Sequence, residues 1–150
     1  MPIAIEYPDQ PDVVRLIEEL DAYQKPLYPL ESHHGVAIAA LCQANVVFAV
    51  VRSADGQVVG CGAVVLGEQY GELKRMYVRP GSRGQGIGEA LLVFLESQAS
   101  AAGLRVFKLE TGNKQLEAIE LYSRSGYVRC GPFGDYAEDP NSVFMSKDAS

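Results

Sequence analysis

The stretch Arg83-Gly84-Gln85-Gly86-Ile87-Gly88 lies between a strand-like apolar run and a long apolar helical pattern. Its alternating glycines allow positive φ and a close approach of the backbone to a ligand, so several N–H groups can converge on one anion. A helix that begins near Gly86 adds unpaired N–H groups and the positive end of its dipole. With the fixed charge of Arg83, the stretch predicts a loop that binds phosphate or pyrophosphate.

Two better-known phosphate loops do not fit this segment. The chain has no GxxxxGK[ST] sequence, which disfavours a nucleotide triphosphatase. It also has no GxGxxG after a first strand, which disfavours a dinucleotide-binding fold. The remaining alternative is a tight glycine connection beside an exposed arginine, a reading that is more typical of isolated glycine pairs.

Strand patterns precede the loop. Residues 46–51, 58–66 and 72–78 are rich in apolar and β-branched residues, and the turn at 53–56 contains the Asp-Gly pair of a hairpin. These three runs predict an antiparallel meander. The segment Ile3–Ile5 predicts a further short strand.

The N-terminal third also contains helical patterns. Apolar residues from Val13 to Leu20 recur at helical spacing, and Asp12 is the expected cap of that helix. A polar connection over residues 28–34 precedes a second helical stretch near 36–41. This connection is a candidate for function because loops often carry binding residues.

After the loop, a strongly apolar helical face over 90–102 ends at Gly103, where glycine favours a helix terminus. A strand over 104–110, a helix over 115–125 and strands over 127–130 and 143–145 follow. The strand, helix, strand crossover among these runs predicts an α/β protein with a mixed sheet of about seven strands and helices on both faces. Ligands of such sheets favour the carboxyl ends of the strands.

Composition limits the class of protein. The 150 residues carry a net charge of −6 and are 47% hydrophobic, so residues 1–150 are expected to form one domain. Lysines and arginines are scattered, and no run approaches the ~18 apolar residues of a membrane span, so neither nucleic acid nor membrane is an expected partner. The absence of a basic and then apolar start predicts a cytoplasmic location.

The three cysteines are too few and too widely spaced for a disulfide framework, and we expect Cys42, Cys61 and Cys130 to be buried thiols. The adjacent His33 and His34 lack the spaced partners of a metal site, so no metal is expected.

These motifs resemble those of the GNAT superfamily of acetyl-coenzyme A dependent N-acetyltransferases, in particular small bacterial members. The family pattern of Arg or Gln, two residues, Gly, one residue, and Gly or Ala is matched by Arg83, Gly86 and Gly88. The expected strand precedes the pattern and the expected long helix follows it. A second family signature is matched by Asn113, Ala118, Leu121, Tyr122, Gly126 and Tyr127. The resemblance covers about residues 60–129, the cofactor-binding half of the family's domain.

The resemblance implies that acetyl-coenzyme A is the co-substrate and that its pyrophosphate lies on residues 83–88. The backbone of Met76, Tyr77 and Val78 would then contact the pantetheine arm through a splay between neighbouring strands. Asn113 would contact the cofactor near this arm, and Tyr122 would lie beside its sulfur.

Two residues are the predicted catalytic groups. Tyr122 is a hydrogen-bond donor for the departing thiolate, and its alternative role is to close a helix onto the core. Glu72 stands where some GNAT enzymes keep a general base that acts through water. The alternative for Glu72 is a solvated ion pair with Lys74 or Arg75. The Met76 N–H is the expected group that polarises the thioester carbonyl.

The predicted reaction is direct acetyl transfer to a primary amine of a small molecule or peptide. The candidate acceptor-binding residues are Tyr28, Glu31, His34 and Tyr136. Tyr28 and Glu31, beside His34, fall where GNAT acceptor pockets are commonly lined. Tyr136 belongs to a tail segment that either covers the acceptor site or forms a turn-rich connection with aromatic plugs. Two other functions stay open: a coenzyme A-binding sensor without transfer activity, and acetylation of a protein N-terminus or lysine. Related folds often pair through sheet edges, so a homodimer is also an expectation.

Overall fold

Seven strands form one mixed sheet in the computed structural model, which describes residues 2–27 and 37–149. The strands are β1 (Ile3–Ile5), β2 (Val46–Arg52), β3 (Val58–Leu66), β4 (Gly71–Val78), β5 (Val106–Gly112), β6 (Val128–Cys130) and β7 (Ser142–Asp148). Their spatial order is β1-β2-β3-β4-β5-β7-β6. Only β4 and β5 pair in parallel, and every other neighbouring pair is antiparallel. The predicted mixed sheet and three-strand meander are confirmed.

Helices cover both faces of this sheet. Within the described residues they are α1 (Pro11–Gln24), α2 (Ile38–Leu41), α3 (Ile87–Ala101) and α4 (Leu116–Arg124), with 3-10 turns at Lys25–Leu27 and Pro80–Ser82. Successive residues of a strand point to opposite faces. Accordingly, Phe48 and Val50 pack in the core beside α1, whereas Ala49 and Val51 pack in the core beside α3.

Glycines end several elements as the sequence predicts. Gly56 adopts φ 84° in the turn of the β2–β3 hairpin, where the Ser53 N–H donates to the Gln57 carbonyl at 2.9 Å. Gly103 and Gly126 follow α3 and α4 with φ 92° and 99°. Because residues with a Cβ rarely adopt these angles, the glycines fix where the elements stop.

Asp12 is not the cap of α1, and that prediction is wrong. The helix begins at Pro11, whose φ suits the first helical position, and the capping residue Gln10 makes no side-chain cap bond. Asp12 therefore lies inside the first turn. Its carboxylate accepts the Val13 N–H at 2.9 Å and pairs with Arg52 at 2.8 Å, which ties α1 to β2.

The C-terminal strands differ in length from their patterns. β5 extends to Gly112, and β7 runs from Ser142 to Asp148 because all seven of its residues pair with β5. Because the residues at the end of β7 are polar, the apolar pattern predicted only a shorter strand over 143–145. Of the three cysteines, all free, only Cys61 is buried; Cys42 and Cys130 are half-buried, so the prediction of three buried thiols is wrong for these two. No helix among the described residues has the length and hydropathy needed to cross a membrane.

Candidate active-site cleft

The cleft arises where β4 and β5 separate. The two strands pair only through Gly71–Leu73 and Phe107–Leu109, after which β4 continues to Val78 and β5 to Gly112 without pairing to each other. A cleft of about 550 Å³ opens at this end of the strands. Its walls include Met76, Tyr77 and Val78 of β4 and Leu20 and Tyr23 of α1. They also include residues 82–88 of the glycine loop except Gln85, and residues 114–124 around α4 except Ile119 and Ser123.

A β-bulge shapes the β4 wall of the cleft. Cys61 lies opposite Tyr77 and Ala63 opposite Lys74, so Arg75 and Met76 together face the single residue Gly62. A bulge of this kind interrupts the ladder and re-aims the residues it contains. Arg75 has φ 56°, the only positive value at a non-glycine residue in the described part of the chain.

Gly62 and Met76 fit closely together at this bulge. A Cβ on Gly62 would lie 2.5 Å from Met76 Sδ and 2.9 Å from Leu95 Cδ1. The Met76 side chain therefore occupies the space above Gly62, towards α3. The missing side chain at Gly62 thus gives Met76 its place in the cleft wall.

The predicted phosphate loop contains two glycines in the left-handed region of backbone conformation. Gly84 and Gly86 adopt φ 80° and 77°, and a Cβ at either position would meet no atom within 4 Å. Gly86 is the residue that precedes α3, whose first N–H groups have no partners within the helix. The space beside the two glycines is therefore open.

Gly88 serves a different purpose. A Cβ there would lie 3.1 Å from Leu121 Cδ2 of α4 and 3.9 Å from Val78 Cγ2 of β4. Since these contacts leave little room, glycine allows α3 to approach α4 and β4 closely. Its neighbour Ile87 is buried beneath the loop.

Arg83 is fixed at the mouth of the cleft. Its Nε donates to the Val78 carbonyl at 2.9 Å, and its guanidinium lies 5.7 Å from the centre of the Tyr77 ring. The lining residues also include two other cations and three carboxylates: Lys114, Arg124, Glu89, Glu117 and Glu120. Because these charges balance, attraction for an anion depends on the position of Arg83 and on the N–H groups of the loop.

Tyr122 is a buried residue of the cleft wall. It is 6% exposed, belongs to the core beside α3, and also lines the cleft. Burial raises the pKa of its phenol, and the negative charge of Glu110 raises it further. The phenol therefore stays protonated at neutral pH and can donate a hydrogen bond.

Glu72 is part of a polar network on the α1 side of the sheet. Its Oε2 accepts a hydrogen bond from the Tyr136 hydroxyl at 2.6 Å and lies 3.2 Å from Lys74 Nζ. Lys74 also donates to the Tyr136 oxygen at 2.7 Å. The Glu72 and Lys74 side chains are only 16% and 19% exposed, so this ion pair is shielded from solvent. Glu72 is not one of the residues lining the cleft.

Aromatic packing holds Tyr136 in this network. Its ring lies 5.2 Å from Phe133 and 5.4 Å from Phe144, and Phe133 also contacts Tyr70 at 5.5 Å, with all three pairs edge-to-face. Burial raises the pKa of Tyr136, with a further contribution from the bond to Glu72. The segment that follows β6 is thus attached to the sheet face beside β4 and β7.

Other predicted site residues lie elsewhere or are not described. Asn113 donates through its side-chain amide to the Pro140 carbonyl at 3.2 Å, and neither it nor Gln85 lines the cleft. Tyr28, Glu31 and His34 lie outside the described residues. Sequence reasoning missed Leu20 and Tyr23 of α1, which line the cleft although their spacing signals only a helix. It also missed Lys114, for which no sequence signal was available.

No cluster of three or more His, Cys, Asp or Glu side chains suited to a metal ion occurs within residues 2–27 and 37–149. His33 and His34 fall outside these ranges.

Comparison with known proteins gives a consistent result. The model of the Acetyltransferase (GNAT) family matches residues 14–127. An IAA acetyltransferase from Azospirillum brasilense is 48% identical over 147 residues, which cover 97% of this chain and 95% of the relative. The uncharacterized N-acetyltransferase YsnE of Bacillus subtilis is 33% identical over 138 residues, covering 90% and 91%.

A solved structure has the same fold. The crystal structure of a Klebsiella pneumoniae protein described as an acyl-CoA N-acyltransferase superposes with a TM-score of 0.85 at 39% identity. The match covers 99% of this chain and 97% of that one. The chain therefore belongs to the GNAT family and is an acetyl-transferring enzyme. The family uses acetyl-coenzyme A as its acetyl donor.

Proposed function

We propose that this enzyme transfers the acetyl group of acetyl-coenzyme A directly to a primary amine of a small molecule or peptide. The observation that carries the proposal is the position of Tyr122, whose phenol is buried in the wall of the cleft that opens at the glycine loop. A donor with its pyrophosphate on the loop and its arm along the cleft would extend its thioester towards this phenol.

The donor would be held mainly by backbone groups. The N–H groups around Gly84 and Gly86 and the start of α3 would bind the pyrophosphate, with Arg83 supplying a positive charge. The backbone of residues 76–78, which has no partner on β5, would pair with the amides of the pantetheine arm. The Arg83 bond to the Val78 carbonyl leaves that oxygen a second lone pair for a ligand.

Transfer requires one new bond and one broken bond. The amine nitrogen attacks the thioester carbonyl carbon, whose oxygen is polarised by the Met76 N–H, and the carbon–sulfur bond then breaks. Tyr122 donates a proton to the departing coenzyme A thiolate and recovers one from solvent. Its raised pKa keeps the phenol protonated, so that it can donate a hydrogen bond to the sulfur as negative charge develops there.

The proton lost by the amine would pass to Glu72 through water. Because Glu72 Oε2 is engaged by Tyr136 and Lys74, the water would bond to Oε1. Tyr136 would border the acceptor site, together with Tyr28, Glu31 and His34 of the connection after α1. The acceptor is a primary amine in this proposal, and the name of the Azospirillum relative adds IAA to the compounds to be tested.

The test measures release of the coenzyme A thiol from acetyl-coenzyme A with amino acids, polyamines, aminoglycosides, peptides and IAA as acceptors. The intact chain is compared with Tyr122→Phe, for which we expect kcat to fall by about 100-fold while the KM for acetyl-coenzyme A changes less than about threefold. Tyr127→Phe is the matched control, because it also removes a buried hydroxyl, one that donates to Glu96 at 2.7 Å away from the cleft. We expect its kcat to stay within about twofold of the intact chain.

Amine-dependent release that falls only in Tyr122→Phe would support both the reaction and the role of the phenol. Equal rates in the intact chain and Tyr122→Phe would remove Tyr122 as the proton donor. Tight coenzyme A binding without release for any acceptor would instead favour the sensor function. Release that requires a protein acceptor would favour acetylation of an N-terminus or lysine.

A further inference from the structure

We infer that Arg75 is a positioning residue for acetyl transfer, because its ion pair with Asp21 holds the β4 bulge in the conformation that directs the Met76 N–H into the cleft. This role rests on the proposed function, in which that N–H polarises the thioester carbonyl. It adds a contact between α1 and β4 that lies outside the predicted catalytic and cofactor-binding residues.

The backbone of Arg75 does not adopt its conformation by preference. Its φ of 56° lies in the left-handed region, which glycine, asparagine and aspartate adopt far more readily than arginine. Such a conformation persists when surrounding contacts over-determine it. The contacts of Arg75 with its neighbours therefore indicate what keeps the bulge in place.

Both the side chain and the backbone of Arg75 are held. Its guanidinium donates to Asp21 Oδ1 of α1 at 2.6 Å, and the Arg75 side chain is only 9% exposed. On the other side, the Cys61 thiol of β3 lies 3.3 Å from the Arg75 carbonyl oxygen, to which it donates. Cys61 is fully buried, so this contact is inside the core.

These contacts determine the direction of one peptide group. The Arg75 carbonyl and the Met76 N–H belong to the same planar trans peptide, so they point in opposite directions. With the carbonyl turned towards the Cys61 thiol, the N–H points away from that thiol. Met76 itself lines the cleft that opens where β5 has separated from β4.

A second ion pair, between α1 and the residue that follows β4, provides a control. Arg79 lies after the bulge and pairs with Glu19 of α1 at 2.7 Å, with side chains 31% and 42% exposed. The Arg75 pair joins α1 to β4 and the Arg79 pair joins α1 to the residue after β4, but only Arg75 belongs to the peptide group before Met76. Loss of either pair should loosen α1, whereas only loss of the Arg75 pair should turn the Met76 N–H.

The experiment compares Arg75→Asn with Arg79→Asn. Asparagine tolerates positive φ, so Arg75→Asn removes the ion pair without adding backbone strain. We expect kcat to fall about tenfold in Arg75→Asn, which is less than the loss of an entire oxyanion donor, with the coenzyme A Kd within about threefold. We expect kcat in Arg79→Asn to stay within about twofold. Asp21→Asn leaves Arg75 in place and should reproduce the loss if Arg75→Asn folds poorly.

A spectroscopic measurement separates this role from the proposed function. The NMR chemical shift of the Met76 amide proton is compared between the acetyl-coenzyme A and coenzyme A complexes. The difference reports the hydrogen bond to the acetyl carbonyl, and no amine acceptor is needed. We expect this difference to shrink by at least half in Arg75→Asn and to stay unchanged in Arg79→Asn. A normal difference in Arg75→Asn would overturn the role of Arg75, even if acetyl transfer is confirmed.

The charge-swapped pair Asp21→Arg with Arg75→Asp gives a rescue test. Aspartate also tolerates positive φ, so the swap restores an ion pair at the bulge. We expect the double variant to recover at least a third of the kcat lost in the single variant Arg75→Asp. Strictly additive losses, or equal losses in the Arg75 and Arg79 variants, would show that these pairs only stabilise the fold.

Discussion

Gly62→Ala should disturb the cleft through a single added methyl group. The new Cβ would lie 2.5 Å from Met76 Sδ and 2.9 Å from Leu95 Cδ1. Comfortable contacts of these atoms need about 3.5–4.0 Å, so the sulfur must retreat by about 1 Å and the leucine by about 0.6 Å. Leu95 is fully buried, which leaves it little freedom to move. Met76 must therefore absorb most of the displacement.

The expected change in stability combines two opposing effects. Overpacking of this size costs about 1–3 kcal/mol, whereas replacing a strand glycine by alanine returns about 0.5–1 kcal/mol of chain entropy. The free energy of unfolding should therefore fall by about 1–2 kcal/mol. Because Met76 lines the cleft, kcat for acetyl transfer should also fall, by about tenfold.

Urea denaturation and steady-state thiol release measure the two effects. Gly131→Ala is the matched control, because a Cβ at this glycine would meet no atom within 4 Å and its φ is not in the left-handed region. We expect its stability to stay within about 0.5 kcal/mol of the intact chain. A Gly62→Ala protein with undiminished stability and kcat would refute the close fit between Gly62 and Met76.

Two further predictions concern the glycine loop and the N-terminal ion pairs. Gly86→Ala places a Cβ on a residue with φ 77°, which costs about 1 kcal/mol. Calorimetry should therefore show coenzyme A binding weakened about fivefold. Gly81→Ala is the control, because Gly81 has no positive φ, and it should change the Kd less than about twofold. Arg52→Gln removes the partner that lowers the pKa values of Glu6 and Asp12. Solvent screens these pairs, since the Asp12 side chain is 38% exposed, so urea unfolding at pH 7 should show a loss of only about 1 kcal/mol. A carboxyl group whose pKa is lowered in the folded state stabilises the fold at pH values above its unfolded-state pKa of ~4. This contribution disappears as pH falls through the folded-state pKa. The difference between Arg52→Gln and the intact chain should therefore shrink as pH falls below the unfolded carboxyl values of ~4, and a difference undiminished by acid would contradict the ion-pair explanation.

Local signals allowed most of the architecture to be predicted. The Asp-Gly turn at Gly56, the alternating glycines and the caps at Gly103 and Gly126 each require a backbone conformation that few other residues adopt. The cleft followed from the same signals, because a glycine loop between a strand and a long helix must lie at a strand end. Tyr122 was found through a family signature rather than through its spacing.

Long-range contacts account for what sequence reasoning missed. Arg75 has no local signature of positive φ, since the contact that accompanies its conformation joins residues 54 positions apart in the chain. Tyr136 meets Glu72 across 64 positions, and Lys114 meets the Leu27 carbonyl across 87. The helix spacing of Leu20 and Tyr23 shows which face of α1 is apolar but not that it borders a cleft. Asp12 was misassigned because Pro11 sets the start of the helix two residues earlier than a cap at Asp12 would.

The short pairing between β4 and β5 divides the sheet into two halves, each made of antiparallel strands. Strands β1 to β4 form one antiparallel group and β5, β7 and β6 the other, joined by three residues of each central strand and by the core beside α3. A pantetheine arm in the gap would serve as a substitute strand, with its amides completing a ladder that the chain leaves open. Amide hydrogen exchange would then slow most at residues 76–78 when the donor binds, and change little at 71–73, where β4 already pairs with β5.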